Sequence, residues 1–184
     1  MIPKNLQFRM TIKFFLFVLA LTFYPHLGST EFSRDTTLIH FQLKDQFDHV
    51  WTHHDFLGHA TIIVGSDRHG SQYNEIWSFA IYDSLIKYEL EDSVKFLAVA
   101  NTSGVPSLFR KMVKMKFPRE AHRWIILDWE GEFAGAYQFV PNECNLIVIN
   151  QLGNVVCQQS GKELDSKKLN LILNKIYSLF KSAL

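Results

Sequence analysis

The run from Ala60 to Gly65, ATIIVG, is apolar on both alternating sets of side chains, so as a strand it must be covered on both faces. From Gln72 to Leu90 the apolar spacing switches to three or four residues, with Tyr73, Trp77, Ile81, Leu85 and Tyr88 on one side, which predicts a helix packed on a sheet. A second apolar run, VKFLAVAN, follows. Strand, helix and strand in that order make a parallel β-α-β unit with a right-handed crossover, and this confines the chain to the α/β folds.

The remaining segments extend that unit. LIHFQLKDQFDHVWT alternates around Asp45, Gln46 and Asp48 and reads as a hairpin-like edge, with HHDFLGH as a polar turn. After the second strand, Pro106 suits the first turn of a helix, with Leu108, Phe109, Met112 and Val113 as its apolar side and Pro118 as its stop. RWIILDW is a third strand and GEFAGAYQF a short helix or turn. NLIVIN and NVVCQQS flank QLG as a hairpin whose Gly153 takes the positive φ of the turn. Asp165 is a candidate N-cap for a closing helix that carries Leu169, Ile172, Leu173, Ile176 and Phe180 on one face.

Residues 1–30 stand apart. Lys4, Arg9 and Lys13 precede the apolar run FFLFVLALTFY and the breaker PHLGST, the order of an export leader. The run is short for a membrane span, which needs about 20 apolar residues. No Ala-x-Ala cleavage site is present, so a signal peptide and an uncleaved N-terminal membrane anchor both stay open, with Met10 as an alternative start. Either reading places the domain, residues 31–184, outside the cytoplasm: periplasmic or secreted, or tethered to the membrane.

Charge removes one class of function. The whole chain carries +1, and without its three leader cations the remainder is two units negative, so the cationic surplus of a nucleic-acid binder is missing.

Two stretches carry a family resemblance. FQLKDQFDHVWTHHDFLGHATIIV resembles the redoxin opening of strand, Asp-Gln, turn and glycine before the first central strand. WIILDWEGEFAGAYQFVPNECNLIVINQLGNVV is similar to the redoxin run of a strand ending in Asp, an Ala-x-x-Tyr turn and a hairpin around glycine. The resemblance is to the redoxin branch of the thioredoxin-like superfamily. It implies a three-layer α/β fold, a central mixed sheet with helices on both faces. Fold alone does not assign function.

The resemblance also locates a departure. Counted without gaps from Gly58, the family's Cys-x-x-Cys pair falls on Gly70, Ser71, Gln72 and Tyr73. The family sets a thiol there because a helix N-terminus stabilises thiolate. Gly70 has no side chain to attack a disulfide or peroxide. The family's usual cis-proline falls on Cys144, where a trans peptide is expected, since a cis non-proline bond costs about 2.5–4 kcal/mol.

Cys144 is then the candidate for a one-thiol oxidoreductase or peroxidase; the competing reading is a small buried hydrophobe. A disulfide to Cys157 is not expected. In a hairpin turning at Leu152 and Gly153, Cys157 faces Ile147 or Val148, leaving Cys144 about 10–13 Å away.

Three polar groupings complete the candidates. Asp67, Arg68 and His69, with Ser71, form a loop that either binds an anion or caps the helix, and capping is favoured because no catalytic constellation is spaced with them. His49, His53 and His54 are candidate metal ligands, whereas His59 and His69 are separated by a strand length; the reading assigns no metal and no cofactor. Arg110, Lys111, Lys114, Lys116, Arg119 and Arg123 form a basic segment, read as the solvated side of a helix whose other side packs inward, the alternatives being anionic lipid or an acidic partner. Tyr73, Trp77 and Trp129 are candidate aromatic contacts, Trp77 more naturally a core residue. The sequence therefore leads to an exported thioredoxin-fold protein with a degenerate redox site, a non-catalytic accessory protein whose partner is another envelope protein.

Overall fold

The structure, a computed structural model, describes residues 37–120 and 123–181. Residues 1–30, read above as a leader or anchor, lie outside the described residues. Among those described, no helix is long and apolar enough to cross a membrane.

The strands are β1 (Gln42–Asp45), β2 (Val50–Thr52), β3 (Ala60–Ser66), β4 (Val94–Asn101), β5 (Ile126–Asp128), β6 (Cys144–Ile149) and β7 (Val155–Gly161). They form one seven-stranded sheet in the order β2-β1-β5-β4-β3-β6-β7. The helices are α1 (Asn74–Ile86), α2 (Arg110–Lys114), α3 (Glu132–Ala136) and α4 (Ser166–Lys181). β3, β4 and β5 run parallel, while β6 and β1 join them antiparallel.

Each of these elements follows from its residues. β3 is buried throughout, as its unbroken apolar run requires. Alternate residues serve two cores. Ile62 and Val64 pack with Trp77, Ile81 and Leu85 of α1 and with Ile172 and Ile176 of α4. Ile63 packs on the other face with Leu97, Val99, Phe133 and Tyr137, closed by Phe56. Helices thus cover both faces of a mixed sheet, and each large apolar side chain sealed between layers contributes about 1.5–3 kcal/mol. Asp165 caps α4, its Oδ1 accepting the N–H groups of Lys167 at 2.8 Å and Lys168 at 3.0 Å. Gly153 turns the β6–β7 hairpin at φ +83°, and Cys157 pairs with Val148, one of the two expected partners, after a register shift between Val148 and Ile149.

The Asp-Gln dipeptide is structural. Asp45 Oδ1 accepts the N–H groups of Phe47 and His49, and its Oδ2 accepts the Trp51 indole N–H. Gln46 donates to the carbonyls of Pro118 and Arg123 and accepts the Ile125 N–H at 2.7 Å. One buried amide therefore ties the end of the second crossover to the edge hairpin.

Two expectations are corrected. The first helix ends at Ile86, Glu89 takes a left-handed backbone at φ +56°, and Tyr88 lies exposed beside Tyr177 instead of in the core. The predicted amphipathic helix after Pro106 shrinks to a 3₁₀ turn, Ser107–Phe109, and the five-residue α2, with no fully buried residue. Its apolar side chains do not pack inward as expected: Leu108 is 82% exposed, and Phe109 and Met112 are also exposed. A segment this short cannot turn one continuous face to the sheet.

Candidate functional site

The loop after β3 leads into a 3₁₀ turn, Gly70–Tyr73, and then directly into α1, so the four residues that the sequence resemblance sets against a Cys-x-x-Cys pair stand at the mouth of the first long helix. Asp67 organises this loop. Its Oδ1 accepts the N–H groups of His69 at 2.9 Å and Gly70 at 2.7 Å, and its Oδ2 accepts the Asn142 N–H at 2.8 Å. Burial works to raise the Asp67 pKa, but the N–H groups of Asn142, Gly70 and His69 together outweigh it and hold the carboxyl below its ordinary value. The N–H groups an anion would use are already taken, which is the capping role. Ser71 Oγ and Gln72 Nε2 likewise donate to the carbonyls of Arg68 and His69. Tyr73 packs at the edge of the core, and Arg68 and His69 are exposed.

Gly70 is where the opposing loop closes on the turn. A Cβ at Gly70 would overlap the carbonyl oxygen of Glu143 and lie 2.8 Å from its carbonyl carbon and 2.9 Å from its nitrogen. That loop is itself pinned. Asn145 accepts the Val140 N–H at 2.7 Å and donates to the carbonyls of Val140 and Glu143, each at 3.1 Å. Asp67 to Asn142 and Gly70 against Glu143 are two adjacent seams between the same loops. At this helix mouth, backbone lies on backbone.

Cys144 opens β6 after a trans peptide and is fully buried in the core beneath α1. Burial pushes its thiol up to about 12. Burial also raises Cys157 to about 11, against the opposing effects of Lys175 and a hydrogen bond to Gln159. Both cysteines are free. At pH 8 a thiol with a pKa of about 12 is thiolate in only about one molecule in 10⁴. The exposed, electropositive setting of a reactive cysteine is not provided at Cys144.

The histidines gather differently from the expected ligand set. The His53 ring lies 4.1 Å from that of His40 and 3.9 Å from that of His54, while His49 sits edge-on to Trp51. Among the described residues no group of three or more His, Cys, Asp or Glu is placed to hold a metal. Burial first, then His54 and His40, lower the His53 pKa, and its ring nitrogens have no partner. Unfolded histidine titrates near 6.5, so between that value and the lower folded one the unfolded chain binds more protons. The His53 contribution to stability is therefore fully present above about pH 7 and is lost as pH falls through 6.5. Urea midpoints at about pH 7.5 and about pH 5.5 should differ in that direction, with the gap narrowed by His53→Gln; an unchanged gap contradicts this account.

Of the basic segment, Arg110 pairs with Glu130 at 2.8 Å and lies over Trp129, Lys114 pairs with Asp48, and Arg123 reaches Glu75 at 3.5 Å. These contacts are largely exposed and contribute little each.

Two surfaces escaped the sequence reading. α1 keeps large apolar side chains on its outer side as well: with Trp77, Ile81 and Leu85 buried, Ile76, Phe79, Tyr82 and Ile86 remain exposed among Glu75 and Asp83, Phe79 at 62%. Four large apolar residues on the outer side were visible in the sequence and are unusual for a helix facing solvent. The second is a cavity of about 630 Å³ beside the Asp67–Ser71 loop, floored by Val64, Ser66, Ala98 and Ala100 and walled by Val113 and Phe117.

With the geometry in hand, comparison with known proteins identifies the fold. No family model matches the chain, and no curated protein matches it. Solved structures do. The pneumococcal exposed lipoprotein thioredoxin Etrx1 of Streptococcus pneumoniae superposes with a TM-score of 0.54 at 15% identity, covering 74% of this chain and 99% of its own. A putative thiol:disulfide interchange protein DsbE of Chlorobium tepidum gives 0.55 at 12% identity over 79% and 96%. The mitochondrial 2-Cys peroxiredoxin of Plasmodium falciparum gives 0.52 at 13% identity over 82% and 97%. The fold is thioredoxin-like. At these identities the likeness carries architecture and not activity.

Proposed function

We propose that this chain is an exported thioredoxin-fold protein of the cell envelope that binds or assists another envelope protein and has no redox chemistry of its own. The observation that carries this reading is Gly70: the position aligned with the redox nucleophile has no side chain and no room for one against Glu143. The burial of both thiols supports it, as does the exposed apolar row on α1, a surface of the kind protein partners cover. The leader-like residues 1–30 support export. The fold shared with Etrx1, an exposed lipoprotein, is consistent with an envelope location.

The alternative, a one-thiol oxidoreductase or peroxidase using Cys144, requires that residue to reach substrate and ionise, and its complete burial opposes both. Assays of the purified chain with a disulfide substrate plus dithiol, and with a hydroperoxide plus dithiol, should give rates equal to those without protein. Turnover that disappears in Cys144→Ser or Cys157→Ser overturns the proposal.

A further inference from the structure

The cavity beside the degenerate loop has a composition that selects a ligand. Its floor is two cross-strand pairs, Val64 with Ala98 and Ser66 with Ala100. Parallel strands buried on both faces ordinarily carry Val, Ile or Leu, and the two alanines leave the space that such side chains would fill. Val105, Val113 and Phe117 add apolar wall. The volume of about 630 Å³ falls within the range of about 300–1,000 Å³ in which small-molecule sites lie.

Polar groups are few and unspent. Thr102, 8% exposed, lines the cavity, and its hydroxyl has no partner. Asn74 donates through Nδ2 to Ser66 Oγ at 2.9 Å while its Oδ1 has none; exchanging the two ends of the amide would still leave one end unpaired. An unpaired buried polar group is costly and is ordinarily matched by a ligand or water.

Charge fixes the class. Arg68 and Lys116 are exposed members of the lining, and neither is in an ion pair among the described residues. The Asp67 carboxylate shares that lining but is already occupied by three backbone N–H groups, so it both fills the cradle a phosphate would need and repels a dianion. A single negative charge on an apolar body suits the two cations and the apolar walls, and water is left to pair with the Thr102 hydroxyl and the Asn74 amide.

We propose that this cavity binds a single-chain amphiphilic carboxylate, its apolar body over the Val64–Ala98 and Ser66–Ala100 floor and its anionic head at Arg68 and Lys116. The inference goes beyond the proposed function, which assigns no ligand to this cavity.

The test is calorimetric titration of the full chain with dodecanoate, dodecanol and dodecyltrimethylammonium. Dodecanoate should bind saturably at one site, dodecanol more weakly and the cation not at all. Arg68→Gln with Lys116→Gln, both at exposed positions the fold does not need, should weaken dodecanoate about tenfold and leave dodecanol within about twofold. Ala98→Leu with Ala100→Leu, checked for an unchanged circular dichroism spectrum, should abolish binding of both. Absence of saturable binding, preference for the cation, dodecanoate affinity unchanged in the double glutamine variant, or binding that survives filling of the cavity each overturn the inference. Saturable binding of a short apolar peptide acid in place of dodecanoate overturns it too. These outcomes are separable from the redox assays: an inert protein that ignores dodecanoate ends this inference alone, and dithiol turnover ends the proposed function.

Discussion

Replacing Gly70 with cysteine lowers the free energy of unfolding by about 2 kcal/mol and produces no dithiol activity, even when Tyr73→Cys completes a Cys-x-x-Cys motif. Two effects compete at this position. Any side chain there restricts the unfolded chain relative to glycine, which favours the native state by about 1 kcal/mol at most. Against this, the new Cβ meets the backbone of Glu143, and a backbone held by Asn145 cannot rotate aside as a flexible side chain would. Overpacking of that kind costs about 1–3 kcal/mol and occasionally more, and it outweighs the gain. Gly70→Ala should show nearly the same loss in urea denaturation, because Cβ and not sulfur makes the contact. A Gly70→Ala protein as stable as the parent would show that the two loops separate readily.

Trp77→Ala should cost about 3–5 kcal/mol, a large share of the 5–15 kcal/mol typical of a whole domain. Trp77 is fully buried where α1, β3 and α4 meet, and its removal leaves a cavity that the surrounding Ile62, Ile81 and Ile172 cannot close. The indole N–H has no partner, so Trp77→Phe, which deletes that donor, should cost markedly less than alanine. Urea midpoints of the three proteins check the order; a loss under about 1 kcal/mol for Trp77→Ala would contradict the packing described.

Much of the architecture was legible because single residues determine it. The unbroken run of β3, the three-to-four spacing of Trp77, Ile81 and Leu85, the glycine at 153 and the cap at Asp165 each specify one local geometry, and the structure has each of them. The hairpin register read from the sequence set Ile147 or Val148 opposite Cys157, and the structure, with a register shift between Val148 and Ile149, has Val148 there. Elsewhere the same rules pointed wrongly. Leu108, Phe109 and Met112 have helical spacing, yet spacing cannot reveal that the helix stops after five residues and leaves them in solvent.

The candidate site divides in the same way. The alignment put Gly70 to Tyr73 at a helix start, and the capping tendency of Asp67 could be read from its residue type. The seam between Gly70 and Glu143 could not, since it joins residues brought together only by the packing of β6 on β3. Nor could the cavity: two alanines in a strand become a floor only when the segment across from them fails to fill the space.

Both thiols of this chain are sealed inside the domain. Stopped-flow labelling of the native protein with an aromatic disulfide at about pH 8, against the same protein in urea, tests it most directly. The account predicts no fast phase, with Cys144 and Cys157 reacting only at the rate at which the domain opens. One equivalent of thiol reacting at the speed of an exposed cysteine, and lost in Cys144→Ser, would contradict it.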